Sequence, residues 1–137
     1  MSPVTSRADG PGPLVLVVED NAVNLELVVA VLDRDGFQVV SAVSAEAALD
    51  RLKLLRPDLI LLDIQLPGLD GLELTKLLKA DPASAGIPVV ALSAHARPED
   101  RQAALDAGCV EYICKPIDTR ALPSQLAGVL RRSRAAG

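Results

Sequence analysis

Three aliphatic runs, each stopped by a polar residue, constrain this chain more than any other feature of it. Residues 14–18 read Leu-Val-Leu-Val-Val before Glu19, residues 59–62 read Leu-Ile-Leu-Leu before Asp63, and residues 87–92 end in Val-Val-Ala-Leu before Ser93. A strand with one wet face alternates apolar and polar side chains, so a run that is apolar throughout belongs to a strand covered on both faces. Pro88 is tolerable near the start of the third run. Residues 37–42 form a weaker, β-branched strand expected nearer an edge, and residues 110–114 a last short one. Helical segments fill the gaps. Residues 21–35 carry Val28, Val31 and Leu32 on one side and stop at Gly36, while Ser44 caps a helix to about residue 55 that Pro57 ends. Turn chemistry at residues 67–71 leads into a helix over 72–79, Pro98 opens one that Gly108 closes, and Thr119 caps the last, to about residue 130. Five strands alternating with five helices predict parallel βα units with right-handed crossovers and helices on both faces of one sheet. In such sheets a ligand lies beyond the carboxyl ends of the strands, where the strand order switches.

The 137 residues suffice for one core and not two. Residues 1–13, rich in Ser, Pro and Gly, are expected to be a disordered lead-in, residues 14–130 the domain, and residues 131–137 a frayed basic tail. A formal charge of −4 argues against a nucleic-acid partner, which needs clustered Lys and Arg. No apolar run approaches a membrane span and the start lacks a signal-peptide profile, so no membrane partner is expected. Cys109 and Cys114 form neither a C-x-x-C pair nor a disulfide framework, which fits a reducing, cytoplasmic setting. With no Trp, one Phe and one Tyr, aromatic stacking platforms are excluded as the main device.

The strand ends carry the chemistry. Glu19 and Asp20 follow the first strand, Asp63 the third, Ser93 the fourth and Lys115 the fifth. Taken singly, each has an ordinary reading as a cap, a turn residue or a solvated charge. Together they put three carboxylates on one rim, which repel one another unless a cation is present. Hard oxygen ligands suit Mg²⁺, and Lys115 and Ser93 add an ammonium and a hydroxyl, so the set can hold a phosphoryl group. Asp63, ending the most apolar strand, is placed to be the nucleophile; Glu19 and Asp20 are better placed to carry the metal, with the backbone carbonyl of Gln65 as an extra ligand.

These residues resemble a known family. V-V-E-D-N at 17–21, D-L-I-L-L-D-I-Q-L-P-G-L-D-G at 58–71, V-V-A-L-S-A at 89–94 and Y-I-C-K-P-I at 112–117 look like the response regulator receiver domains of bacterial two-component signalling. The stretches P-D-L-I-L-L-D-I-Q-L-P and L-E-L-T-K-L-L-K are similar to the single-domain DivK-like type. The resemblance covers about residues 14–130. It implies a flavodoxin-like, doubly wound five-stranded parallel sheet in the order 2-1-3-4-5 with five helices. It makes Asp63 the phospho-acceptor, Glu19 and Asp20 the Mg²⁺-binding acidic pair, Ser93 the switch hydroxyl and Lys115 the phosphate-contacting lysine, with Lys115-Pro116 commonly cis. Tyr112 matches an aromatic switch whose ring turns inward when the hydroxyl residue moves, though an ordinary half-buried strand tyrosine fits as well. Gln65 and His95 match two variable positions that tune loss of the phosphoryl group, and His95 also reads as a solvated loop histidine.

The functional expectation is a stand-alone response regulator, phosphorylated by a sensor histidine kinase or a histidine phosphotransfer protein with Mg²⁺, that catalyses only its own phosphorylation and dephosphorylation. Because little chain follows the last helix, the output is expected to be a surface that docks a downstream protein, dimerises with a second copy or relays the phosphoryl group. The helix over 98–107 offers only Ala103, Ala104, Leu105 and Ala107 as apolar contacts and is expected to be loosely anchored, a bistable element beside the phosphate. Three rivals compete. A Mg²⁺-dependent phosphatase with an aspartyl nucleophile would want an acid where Gln65 stands. A flavin or nucleotide binder would want Gly, Ser and Thr donors where Glu19 and Asp20 stand. A pseudo-receiver that binds partners without phosphorylation would not need the full polar set.

Overall fold

The structure, a computed structural model, describes residues 12–66, 68 and 70–136. Five strands, β1 (Leu14–Val18), β2 (Gln38–Ala42), β3 (Leu59–Asp63), β4 (Val89–Ser93) and β5 (Glu111–Cys114), alternate with five helices. The helices are α1 (Ala22–Arg34), α2 (Ala45–Leu52), α3 (Gly71–Ala80), α4 (Pro98–Ala107) and α5 (Leu122–Ala136). The strands form one parallel sheet in the order β2-β1-β3-β4-β5, a flavodoxin-like doubly wound architecture. The three aliphatic runs are its three central strands, and the weaker β2 is an edge.

Alternate residues along the central strands feed two cores. Leu16, Val18, Ile60, Leu62, Val89 and Ala91 pack with Ala45, Ala48, Leu74, Leu78 and Ala104 beneath α2, α3 and α4. Val15, Val17, Leu59, Leu61, Val90 and Leu92 pack with Val28, Leu32, Leu122 and Leu126 beneath α1 and α5. With every core-strand side chain buried on one face or the other, the only sites where these strands can carry polar groups are their ends. Burial of a leucine-sized side chain stabilises by about 1.5–3 kcal/mol, so the register that puts those ends on one rim is strongly specified.

Local signals set the boundaries. The side chains of Asn21, Ser44 and Asp70 accept from the backbone N–H three residues on, capping α1, α2 and α3. Gly108 closes α4 at φ 119°, a left-handed conformation that side chains resist. α4 buries only Ala104 and Ala107 and has no side-chain cap.

Three expectations need correction. Residues 1–11 lie outside the described residues, but Gly12 and Pro13, read as part of a disordered lead-in, are tied to the sheet: the carbonyls of Gly12 and Pro13 accept from the side chain and backbone N–H of Gln38. The tail expected from residue 131 is helical to Ala136, because α5 keeps Val129 and Leu130 buried and its exposed arginines are good helix formers. Thr119 does not cap that helix; the Asp118 carboxylate accepts from the N–H groups of Arg120 and Ala121.

Candidate functional site

The register brings the strand ends level. Val18 pairs with Leu62, Asp63 with Leu92 and Ser93 with Cys114, so Glu19, Asp63, Ser93 and Lys115 emerge on one rim. Glu19, Asp63 and Ser93 are buried there and Asp20 is exposed. Carboxylate oxygens of Glu19, Asp20 and Asp63 lie within 4.8 Å of one another. The Lys115 ammonium sits between two of them, 2.9 Å from Asp63 Oδ2 and 3.0 Å from Glu19 Oε1. Asp63 Oδ1 accepts from the Gln65 N–H at 2.8 Å, and Glu19 Oε2 accepts from the Asn21 N–H at 3.2 Å. Lys115-Pro116 is a cis peptide.

Electrostatically the two buried acids are driven apart. Burial, together with the hydrogen bond it shares with Asp63, pushes the Glu19 carboxyl above the usual glutamic acid range. Burial acts in the same sense on Asp63, but it is outweighed by hydrogen bonds from Glu19, Lys115 and the Gln65 N–H, which hold Asp63 below the usual range and ionised. Lys115 loses solvation, yet its two carboxylate partners raise its pKa and keep it charged. The site therefore offers an ionised, oriented carboxylate beside a fixed cation.

One atom is left over. Glu19 Oε1 is buried, and the Lys115 ammonium at 3.0 Å is its one charged partner, with no backbone or neutral donor beside it among the described residues. A buried carboxylate oxygen shared with a single ammonium keeps a lone pair unfilled, which is costly in a metal-free protein and suits a ligand atom beside a cation. With three carboxylates to share the charge, the donor set fits a hard divalent ion.

Ser93 and Gln65 belong to a second layer of contacts. Ser93 Oγ accepts from the His95 N–H at 3.0 Å, and the Gln65 side-chain oxygen accepts from the Ala94 N–H at 2.8 Å. The Gln65 carboxamide nitrogen lies 3.1 Å from an imidazole nitrogen of the exposed His95. The sequence places Gln65 with His95 at two variable positions expected to tune loss of the phosphoryl group and offers its backbone carbonyl as a metal ligand, but nothing in it signals the contact of the carboxamide with Ala94. Tyr112, read both as an aromatic switch and as an ordinary strand tyrosine, is buried, its hydroxyl donating to the His95 carbonyl at 2.6 Å. A groove of about 790 Å³ between α2 and the segment before β4 lies at the opposite end of the sheet and shares no residue with this rim.

Residues 15–127 match the family profile of the response regulator receiver domain. Among curated proteins, the chain is 44% identical over 118 residues to the phosphate regulon transcriptional regulatory protein PhoB of Klebsiella pneumoniae, covering 86% of this chain and 52% of that protein. The chain thus spans about half the length of the PhoB relatives it matches. It is 43% identical over 103 residues to the polar-differentiation response regulator DivK of Brucella anthropi, covering 75% of this chain and 84% of that one. Of solved structures, a putative response regulator from Chloroflexus aurantiacus superposes with a TM-score of 0.84 at 29% identity, covering 88% of this chain and 98% of that one. The receiver domain of the sensor histidine kinase PA1611 from Pseudomonas aeruginosa, with a magnesium ion coordinated in its active-site cleft, superposes at 0.76 with 34% identity, covering 88% and 96%.

Proposed function

The chain belongs to the response regulator receiver domains of two-component signalling, and on that premise we propose that it takes a phosphoryl group onto Asp63 from the phosphohistidine of a sensor histidine kinase or histidine phosphotransfer protein. The observation that carries this reading is an ionised Asp63 held 2.9 Å from a fixed ammonium inside a cluster of three carboxylates. An Asp63 oxygen attacks phosphorus; the new P–O bond forms as the donor's P–N bond breaks, and the departing ring nitrogen keeps the electron pair. The Gln65 N–H fixes the Asp63 rotamer, Lys115 balances charge on the transferring oxygens, and the Ser93 hydroxyl and Ala94 N–H become donors to them once released from the Gln65 side chain. Mg²⁺, held by Glu19, Asp20, Asp63 and the Gln65 backbone carbonyl, would neutralise the phosphoryl oxygens.

The aspartyl-phosphate adds roughly one to two negative charges at the rim. Ser93 and Lys115 are drawn to it, Ser93 carries the β4–α4 connection, and Tyr112, hydrogen-bonded to His95, reads the same movement. The changed surface regulates or relays to a partner protein, or to a second copy of the chain. The chain catalyses only its own phosphorylation and dephosphorylation, since Gln65 supplies no acid two residues past the nucleophile. A cytoplasmic setting goes with this reading; the two thiols, both free, suit a reducing compartment. No described helix is long and apolar enough to cross a membrane.

Incubation with acetyl phosphate and Mg²⁺ followed by intact-mass measurement tests the proposal. The native chain should gain one phosphoryl group and the Asp63→Asn variant none. Sustained multiple turnover of a generic phosphate ester would instead favour a phosphatase.

A further inference from the structure

The β4–α4 connection presents two donors to one acceptor. The Ala94 N–H donates to Gln65 Oε1 at 2.8 Å, and the Ser93 hydroxyl, whose oxygen is already engaged by the His95 N–H, points its proton at the same atom from 3.5 Å. The backbone N–H of Gln65 meanwhile binds Asp63 Oδ1 at 2.8 Å, so one residue touches both the acceptor carboxylate, by its backbone, and the β4–α4 connection, by its side chain. Its nitrogen is held on the far side by His95. Because Ala94 offers only a donor, the oxygen of the carboxamide must be the end that faces the loop.

From this arrangement we infer that the Gln65 side chain is an internal stand-in for a phosphoryl oxygen, occupying the Ala94 and Ser93 donors in the resting protein and opposing phosphorylation until it is displaced. The inference rests on the phospho-acceptor reading of Asp63 and deepens it. A phosphoryl group on Asp63 carries anionic oxygens, and hydrogen bonds to an ionised acceptor are about twice as strong as those to a neutral amide. The anion therefore wins the donors, but only by the difference between the two bonds. Gln65 sets that difference. It is a positioning residue, acting through the loop and on no bond that forms or breaks.

Gln65→Met keeps the length of the side chain, and the backbone carbonyl, while removing the acceptor. The full chain and this variant are titrated with beryllofluoride and Mg²⁺, a phosphoryl mimic, and amide exchange is read at Ala94 without the mimic. The variant should bind beryllofluoride about five-fold more tightly, the worth of one net neutral hydrogen bond, and its Ala94 amide should exchange faster by a similar factor while β4 amides do not change. Gln65→Glu, which restores an acceptor, should return Ala94 protection and weaken beryllofluoride binding. Unchanged or weaker binding by Gln65→Met, or an Ala94 amide exchanging at the native rate, overturns the inference. A native chain that takes up no beryllofluoride sinks the phospho-acceptor reading instead, and Ala94 exchange then decides the role of Gln65 by itself.

Discussion

Replacing Glu19 with Gln should make the protein more stable without Mg²⁺ and less stable with it. Glu19 is fully buried, and its Oε1 meets the Lys115 ammonium and no neutral donor among the described residues. Removing the charge of a buried, incompletely satisfied carboxylate is worth about 1–3 kcal/mol. A glutamine amide also supplies permanently the donor to Asp63 that Glu19 offers only when protonated. Against this stands the lost attraction of Lys115, which retains Asp63 at 2.9 Å. The net gain is about 1–2 kcal/mol, which raises the midpoint of a domain of this size by roughly 3–8 °C. Mg²⁺ reverses the order, because a ligand at a hundred times its Kd stabilises the native site by about 2.7 kcal/mol and the variant lacks one of the carboxylates. The pH dependence has a definite sign. Folding raises the Glu19 pKa, so its contribution to native stability is fully present below the unfolded value and is lost as pH rises through the folded one. The advantage of Glu19→Gln should therefore vanish in acid and grow toward neutrality. Thermal melts followed by circular dichroism, in chelator and in saturating Mg²⁺ across that pH range, give the answer. A variant less stable than native in chelator at neutral pH, or one that gains as much from Mg²⁺, would refute the account.

Other substitutions probe other contacts. Lys115→Met removes charge-assisted contacts worth about 1.5–3 kcal/mol and should slow phosphorylation by acetyl phosphate roughly ten- to hundred-fold, measured by intact mass against time. Tyr112→Phe keeps the buried ring and loses the bond to the His95 carbonyl, an expected cost of about 0.5–1.5 kcal/mol in urea denaturation. Gly71→Ala would drive a Cβ into the backbone Cα of Ile64, the residue after Asp63. That clash cannot be relieved by a rotamer change, so a loss of about 2 kcal/mol or more is expected in the same denaturation, with weaker Mg²⁺ binding by titration as the loop shifts.

Much of this was legible in the chain because buried strands leave an unmistakable trace. Leu59 to Leu62, short and set between Pro57 and turn residues in an alternating pattern, reads as a doubly covered strand, and once it is placed Asp63 stands at its end; the same logic locates Glu19 and Ser93. Lys115 needed the spacing of the whole chain, since β5 is short and only half apolar. The helix termini were less readable. Asp118 and Thr119 are both capping residues, and which one turns toward the free N–H groups depends on backbone angles that composition does not encode. Arg131 to Arg134 looked like a tail because their charges mask a helix whose buried side ends in Val129 and Leu130. The reach of Gln65 to Ala94 spans 29 positions of sequence, and nothing local to either residue announces it. Tyr112 needed the position of the His95 carbonyl, which only the folded β4–α4 connection supplies.

The sparse anchorage of α4 has a consequence for diversification. Ala104 and Ala107 are its only buried residues, so Glu99, Arg101, Gln102 and Asp106 are exposed along a helix that starts beside the reactive rim and runs away from it. Exchanges at exposed positions of this kind usually alter stability by less than about 0.5 kcal/mol. A helix so lightly tied to the interior can therefore acquire a new vocabulary of contacts without renegotiating the scaffold beneath it, which lets duplicated copies of such a protein part company in what they recognise while the reactive centre stays as it was.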